Sequence, residues 1–471
     1  MSEGMHFQAW RTNRVPGYQA RRRQSASRAA PSRSKGMIDR FAIVPVLVCI
    51  FATIISPLEY TLFNINPYET RLDTRIFWPV MAAVSIILTR NNRSRLPRPL
   101  PPNIICLFIY LAFAGASVLW AFNPTDSFIR FAQEAMIVIS IALPALLAAP
   151  AVDILRTLFL CCFVPAAILN VGFVLENSPS VVEALKGYPG YFMGKNYLGE
   201  FSAIPFLMAL HEMLYPGWRR AFGIVVAGVA AWLLFWANSK TAFGLALFIP
   251  FLAGVTLFVR KISRLSPAII LMSIPICFIL LSAVSHFGIE RISYMLYGDS
   301  SLTGRTVIWD FANSEIARRP LFGWGYQSFW LAGPNAPSIV DARGWVKMMP
   351  DGHNGYVDTK LELGYVGFGL LLAFIFATLH GVGRMADRVP ARAWLVLSLA
   401  LYIITYNFLE TLWMKGYEFL WVMFLIVAAE IGRYWRPVPM RRAAYGSISQ
   451  TPGGPGPSPG ARRPQLRPGL S

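Results

Sequence analysis

Long apolar segments separated by short polar connections make up most of this chain. A helix of about 20 apolar residues is long enough to cross a hydrocarbon core of about 30 Å. Charged residues and Pro/Gly breaks divide the apolar sequence into candidate spans at 41–58, 76–89, 104–122, 128–149, 157–175, 196–214, 221–236, 241–259, 267–285, 361–380, 393–411 and 417–431. The pattern therefore predicts an all-α, polytopic transmembrane protein with about 12 spans. The second span is short, so it must tilt little or take residues from its flanks.

The composition supports a membrane protein. Of the 471 residues, 55% are hydrophobic and 14% charged, with a mean hydropathy of +0.47. Soluble domains carry about 25% charged residues, so a water-soluble globular class is excluded. The formal net charge is +19, but nine Lys or Arg residues lie in 1–40 and seven in 432–471, both beside predicted spans. We interpret the charge as a topology signal and expect no binding to nucleic acid.

The positions of the basic connections predict an orientation. Lys and Arg are enriched in cytoplasmic loops. With the amino terminus inside, the basic connections at 90–98, 219–220, 260–264 and 384–392 all fall on the cytoplasmic side. The carboxy-terminal tail falls there too, as an even number of spans requires. We therefore expect both termini to be cytoplasmic.

The spans divide the chain into five regions. They are a basic cytoplasmic tail at 1–40, spans one to nine at 41–285, a long outer loop at 286–360, spans ten to twelve at 361–431, and a basic, Pro/Gly-rich cytoplasmic tail at 432–471. Ordered loops as long as the one at 286–360 are uncommon unless they are functional. We therefore expect this loop to carry the chemistry.

Within the long loop, apolar residues recur near helical spacing from 307 to 317, and Pro320 ends the pattern. This predicts a short amphipathic helix lying on the bilayer surface. Aromatic residues of the same part of the loop are candidate platforms for sugar rings, and anchoring at the membrane interface would explain them as well. They are Trp309, Trp324, Tyr326 and Trp330.

His353 lies near the end of the loop, at the outer mouth of span ten. A neutral imidazole can take the proton of an alcohol as a bond forms, which is the work of a general base. A hydrogen bond at the membrane interface is the alternative role for a single histidine.

Three cationic residues have comparable positions. Lys240 lies at the outer turn between spans seven and eight, Arg305 at the start of the loop helix, and Lys195 where span six begins. A diphosphate bound without metal needs fixed cations or amide donors, and these residues could supply them. The alternative is that each side chain snorkels to lipid headgroups.

The remaining polar residues carry less information. The five cysteines lie in apolar segments without metal-ligand spacing, and the outer face lacks clustered carboxylates, so neither a metal nor a cofactor is expected. Arg130 and Glu134 are spaced i,i+4 and are predicted to pair. Glu200, Glu410 and Glu418 fall near outer span ends and are assigned no role.

Five motifs follow one another along the chain, namely YFMGKNYLG at 191–199, SKTAFG at 239–244, GRTVIW at 304–309, PLFGWGYQSFW at 320–330 and HNGYVDTKLELGYVG at 353–367. Together they resemble those of the O-antigen ligase and Wzy-type polysaccharide polymerase family. The resemblance covers about 190–380 and is greatest to the exopolysaccharide (succinoglycan-type) polymerase branch.

This resemblance implies a multi-pass, all-helical, metal-independent glycosyltransferase of the bacterial inner membrane. Such an enzyme moves a glycan from undecaprenyl diphosphate to a sugar hydroxyl at the periplasmic face, with inversion. By motif, the family's proposed base corresponds to His353 and its loop arginine to Arg305. The family's other arginine corresponds to Lys240, which keeps the charge and loses the bidentate fork. The family also implies a flippase and a chain-length regulator as partners.

Two alternatives remain open at this stage. An O-antigen ligase would transfer the glycan to lipid A core instead of to a second repeat unit. A transporter or flippase for lipid-linked sugars would have many spans too, but commonly has internal repeats and ionisable residues near the midplane. Neither feature is evident in this sequence.

Overall fold

The computed structural model describes residues 41–63, 72–176, 186–285, 294, 304–416 and 418–435. Across those residues the regular structure is helical, with no strand. The predicted tail at 1–40, most of the tail predicted at 432–471, and nearly all of 286–303 in the long loop lie outside the described residues.

Each predicted span coincides with a helix. In chain order the main helices are α1 (Val44–Phe63), α2 (Leu72–Thr89), α3 (Pro102–Ala116), α4 (Pro124–Leu147), α5 (Ile154–Glu176, with a π-helical turn at Phe159–Phe163), α6 (Lys195–Met213), α7 (Trp218–Ala237), α8 (Lys240–Ser263), α9 (Pro267–Ser285), α10 (Arg305–Arg318), α11 (Gly355–Ala386), α12 (Pro390–Tyr406) and α13 (Phe419–Arg433). Helix α10 belongs to the long loop, and the other helices correspond to the predicted spans.

Helices α3, α4, α5, α7, α8, α9 and α11, with α3 extended to Trp120, are long and apolar enough to cross a membrane. Two shorter apolar helices cover Val44–Glu59 and Pro390–Tyr406. The prediction of an all-helical, polytopic membrane protein is thus confirmed, while the count of 12 spans stays a prediction.

Two helix ends differ from the predicted spans in ways that shape the site. Helix α11 begins at Gly355 because the Asn354 side chain accepts hydrogen bonds from the amides of residues 356 and 357, at 3.0 and 3.2 Å. Helix α12 ends at Tyr406, because the Asn407 side chain accepts from the amides of residues 412 and 413 and turns the chain. Residues 407–411 were predicted as the end of span eleven, and they form a loop instead.

Helix α11 is broken at Gly364, which has a φ of 66°. The break frees backbone groups on both sides, and the PLFGWG segment of the loop pairs with them. The amides of Tyr365 and Val366 donate to the carbonyls of residues 320 and 321, at 2.8 and 3.2 Å. The amides of residues 324 and 325 donate to the carbonyls of residues 361 and 362, at 3.0 and 2.8 Å. A broken helix is stable in a membrane protein when other protein groups satisfy the freed backbone in this way.

The loop helix predicted at 307–317 is present as α10. Its buried residues Ile308, Ala312 and Ile316 pack in a small apolar core of the long loop. The other members of that core are Trp324, Phe329, Trp330, Ala342, Val346, Val357 and Leu361. The residues Ile308, Ala312 and Ile316 of the helix therefore pack against protein, while its position on the bilayer surface stays a prediction.

Replacing Gly364 with Ala is expected to destabilise the protein by about 3 kcal/mol or more. At this φ and a ψ of −170° a side chain is strained by about 1–3 kcal/mol, and the added Cβ would also collide with the carbonyl of Leu321. Thermal unfolding in detergent measures the effect. Gly369 on the same helix is the control, since a Cβ there meets nothing within 4 Å. Equal melting temperatures for Gly364→Ala and Gly369→Ala would contradict the expectation.

Candidate active site

Three of the five sequence motifs meet at the carboxylate of Glu410, in the loop between α12 and α13. His353 Nδ1 lies 3.1 Å from Glu410 Oε2, and Arg305 Nη2 donates to Oε1 at 2.9 Å. Asn196, from the start of α6, donates to the same Oε1 at 3.4 Å. We call these four residues the Glu410 site. A single carboxylate thus joins a candidate base and a candidate phosphate-binding cation.

The backbone and the side chain of His353 are both fixed by carboxylates. Its φ of 46° places it in the left-handed region, and its amide donates to Asp351 Oδ1 at 2.9 Å. Because Nδ1 faces Glu410, we assign the proton of the neutral ring to Nδ1. Nε2 is then the atom that can accept a proton, and about a third of the side chain is exposed.

The surroundings of His353 make it a stronger base. The hydrogen bond that the imidazole donates to Glu410 raises its pKa, and the negative charges of Asp351 and Glu410 add to this effect. Burial and the nearby Arg305 act in the opposite direction, but the net result is a pKa above the usual 6.5. The ring therefore accepts a proton more readily than a free imidazole.

Arg305 is the first residue of α10 and follows Gly304, which has a φ of 87°. The left-handed turn at the glycine lets the helix begin with the guanidinium directed at Glu410. The Arg305 side chain is 19% exposed, and that of Glu410 is 20% exposed. Arg305 and His353 are thus placed together, as the predicted site requires.

The two lysines lie at neighbouring helix ends. Lys240 is exposed at the first position of α8, and Lys195 is exposed at the first position of α6. Lys195 Nζ donates to the carbonyl of Lys186 at 2.9 Å. Gly199 of α6 packs so closely against Ser239 that a Cβ would lie 2.9 Å from the serine Cβ. The SKTAFG turn is therefore held against the helix that brings Asn196 to Glu410.

Three of the aromatic residues predicted as sugar platforms, Trp309, Trp324 and Trp330, pack in the loop core, and Tyr326 packs in the core of the transmembrane helices. Trp324, Tyr326 and Trp330 are buried, and Trp309 is partly buried. Their polar atoms bond to protein: Trp309 Nε1 to the carbonyl of Gly352, Trp324 Nε1 to that of Glu315, Tyr326 Oη to that of Met414, and Trp330 Nε1 to Asp358 Oδ1. These contacts explain the rings as structural, and stacking on sugars stays a prediction.

The predicted pair of Arg130 with Glu134 is wrong. Arg130 Nη1 donates to the carbonyl of Gln327, whereas Glu134 Oε1 accepts a hydrogen bond from Trp421 Nε1 at 2.7 Å. The two side chains have the i,i+4 spacing of an ion pair within a helix, but each one bonds instead to a residue distant in sequence.

Glu410 is the residue that sequence reasoning missed. It was placed at the end of a span and assigned no role, because the apolar residues around it continue the pattern of α12. Asn407 was the available signal, since an asparagine at that point favours a turn. Asp351 was missed as well, although it lies only two residues from His353.

Comparisons with known proteins agree with the motifs. Residues 225–372 match a family model described as O-antigen ligase, Wzy_C. This match includes Lys240, Arg305 and His353, and it ends before Glu410. The resemblance to the O-antigen ligase family is therefore confirmed.

Individual relatives match parts of the chain of different length. The chain is 27% identical over 296 residues to "Exopolysaccharide production protein ExoQ" of Rhizobium meliloti (strain 1021), which is 58% of this chain and 64% of that protein. It is 26% identical over 131 residues to "Putative polysaccharide ligase" of Rickettsia bellii, covering 27% of this chain and 32% of that protein. It is 28% identical over 138 residues to "Putative polysaccharide ligase RP358" of Rickettsia prowazekii, covering 28% and 34%. The matched part is less than two thirds of the length of each relative.

Proposed function

We propose that this chain is an exopolysaccharide polymerase. It joins undecaprenyl-diphosphate-linked oligosaccharide repeat units at the periplasmic face of the bacterial inner membrane, by metal-independent, inverting glycosyl transfer. The similarity to a protein of exopolysaccharide production and to the O-antigen ligase family supports a membrane enzyme of this general type. The polymerase activity, the lipid-linked substrate and the side of the membrane are our proposal.

One observation carries the proposal, namely that the Glu410 carboxylate binds His353 and Arg305 at once. Glycosyl transfer from a diphosphate needs a base for the incoming hydroxyl and positive charge for the departing phosphate. These two groups come from different ends of the long loop, and Glu410 sets their separation. A carboxylate behind a histidine also stabilises the imidazolium that forms during the reaction.

The proposed step is a direct displacement. The acceptor hydroxyl attacks the anomeric carbon of the donor glycan while its proton moves to His353 Nε2. A new glycosidic C–O bond forms, and the bond between the anomeric carbon and the diphosphate oxygen breaks. The electron pair of that bond stays on the undecaprenyl diphosphate, and attack from the opposite face inverts the carbon. His353 then releases its proton to solvent, and Glu410 holds the ring ready for the next unit.

The leaving diphosphate gathers negative charge as the bond breaks. Arg305 and Lys240 are proposed to hold it, with Lys195 as a further cation at the adjoining helix end. Arg305 already faces a carboxylate, so its guanidinium must divide its donors between Glu410 and the diphosphate. Arginine has five donors in a planar fork and can serve both.

Two further parts of the proposal follow from the same family likeness. A flippase would deliver the lipid-linked repeat unit to the periplasmic face, and a chain-length regulator would act with the polymerase.

The proposed orientation has both termini in the cytoplasm. The Glu410 site would then lie on the periplasmic side, because the basic connections lie inside.

The proposed polymerase and its two alternatives predict different outcomes of one experiment. Purified protein in liposomes is first given one lipid-linked repeat unit and no other acceptor, and the products are resolved on a gel. A polymerase gives a ladder of longer glycans. A reaction that starts only after lipid A core is added would identify a ligase, and the absence of glycosyl transfer under either condition would favour a transporter.

Arg305→Lys is expected to lower kcat/KM about 10²-fold while leaving the fold intact. Lysine keeps the positive charge but cannot bond to Glu410 and a phosphate oxygen in the same fork geometry. Initial rates of elongation in proteoliposomes measure the effect. Lys240→Arg is the matched comparison. It introduces the bidentate guanidinium at the other proposed cation and should retain most of the activity. Unchanged kinetics in Arg305→Lys would remove Arg305 from the diphosphate site.

A further inference from the structure

A second charged site lies at the opposite helix ends from Glu410. It is a cavity of about 450 Å³ between the start of α5, the ends of α6 and α13, and the connection from α11 to α12. Helix α6 starts beside Glu410 with Asn196 and lines the cavity with His211. Fifteen residues of helix separate these two positions by roughly 22 Å, so the cavity is distinct from the Glu410 site.

Four arginines line this cavity, which we call the arginine cavity. They are Arg219, Arg388, Arg392 and Arg433, and the carboxylates in the lining are Asp153 and Glu430. The lining thus carries an excess of two positive charges. Glu212 lies next to the cavity, but it is shared between Arg219 and a further arginine, Arg156, so the excess remains.

The inner part of the cavity is rigid and already neutralised. Arg392 Nη2 lies 2.8 Å from Asp153 Oδ1 and 3.0 Å from Glu430 Oε1. Arg433 Nη1 lies 2.6 Å from Glu430 Oε2. The side chains of both arginines are 10% exposed, so these ion pairs form a fixed floor.

Arg388 is the cation at the cavity that lacks a carboxylate partner among the described residues. Its Nη1 donates to the carbonyl of Tyr434 at 2.9 Å, and the residue is exposed. The described residues engage none of its other guanidinium donors, so these donors can bond to an anion in the cavity. Among the other three lining arginines, Arg219 is the most exposed, at 32% exposure of its side chain.

The residues beside the cavity are typical of a membrane interface. Trp218, beside Arg219, is 81% exposed at the start of α7, and exposed tryptophans next to arginines are typical of the headgroup region. By the charge bias of the connections this is the cytoplasmic side. Basic pockets between membrane helices on that side are a recurring way to bind anionic headgroups.

We propose that the arginine cavity binds a phosphate-bearing anion, supplied either by the headgroup of an anionic lipid or by phosphate from solution. A phosphate oxygen accepts charge-assisted hydrogen bonds from arginine, and two phosphate charges would balance the excess of two positive charges. Arg388 and Arg219 contact the anion, and the Arg392–Glu430–Arg433 network forms the floor beneath it.

The test measures binding to the full-length protein and does not depend on activity. In detergent micelles, native mass spectrometry compares cardiolipin with phosphatidylcholine of matched acyl chains. Thermal unfolding compares inorganic phosphate with chloride at equal ionic strength. The variant is Arg388→Gln, which leaves no buried carboxylate unpaired, and the control is Arg90→Gln, an exposed arginine at another basic connection.

We expect the protein to bind cardiolipin in preference to phosphatidylcholine, or phosphate in preference to chloride. Arg388→Gln should weaken binding of the preferred anion about fivefold, and Arg90→Gln should leave it unchanged. Preference for cardiolipin alone identifies a lipid site, and stabilisation by inorganic phosphate identifies a soluble anion. Equal binding of both lipids without an effect of phosphate would overturn the proposal. Equal weakening by both variants would also overturn it, because the binding would then be a general surface effect.

Discussion

His353→Ala is expected to lower the rate of glycan elongation by about 10²–10⁴-fold, the contribution of a general base. The reason is geometric, because Glu410 engages Nδ1 and leaves Nε2 as the proton acceptor of a side chain that is about a third exposed. Substrate binding should change little, since the proposed contacts to the diphosphate are made by other residues. Initial rates with a lipid-linked repeat unit, at matched protein level in proteoliposomes, measure the loss.

A second histidine provides the control for this variant. His380 is exposed near the other end of α11, and its Nδ1 lies 2.9 Å from Ser266 Oγ. His380→Ala should therefore retain the wild-type rate of elongation. If His353→Ala also retained it at normal protein level, the base would have to be another group.

Glu410→Gln is expected to lower elongation about 10²-fold and to change its pH dependence. The neutral imidazole is the proposed active form, so activity should rise with pH through the pKa of His353. That pKa is raised above its usual value chiefly by Glu410, so the wild-type profile has its acidic limb above 6.5. Removing the carboxylate charge lowers the pKa, and the acidic limb of the variant moves to lower pH.

The pH profile separates a positioning role from a merely structural one. If Glu410 only held the loop together, its replacement would lower the rate without moving the acidic limb. Asp310→Asn is the matched control, because this exposed carboxylate lies on α10, five residues after Arg305. Its profile should coincide with that of the wild type, and a limb unmoved in Glu410→Gln would contradict the proposed link to His353.

The sequence predicted the helices well because each span is a local property. About 20 apolar residues between polar connections predict a helix whatever surrounds it, and the structure places a helix at every such segment. The ends were less predictable. Apolar residues continue past Tyr406, so only the side chain of Asn407, bonded to two later amides, ends the helix there.

The sequence predicted those residues of the candidate site that lie within recognisable motifs, and it missed the residue that joins them. His353 and Arg305 stand out by residue type and by their place in a long loop. Glu410 is 57 residues from His353 and 105 from Arg305, and its role depends on three segments meeting. A contact between residues so far apart in the chain produces no repeating pattern that a single sequence could reveal. The break of α11 at Gly364 was hidden for the same reason, since the loop that satisfies it lies about 40 residues earlier in the chain.

The most direct test of the central claim is chemical rescue of His353→Gly. Glycine suits the backbone here, because the φ of His353 is 46°, and it leaves room for a small base. Elongation of a lipid-linked repeat unit is measured in proteoliposomes with and without added imidazole. We predict that the variant is inactive alone and that imidazole partly restores the glycan ladder, with no gain for Arg305→Lys. A full ladder from His353→Gly without imidazole would contradict the account.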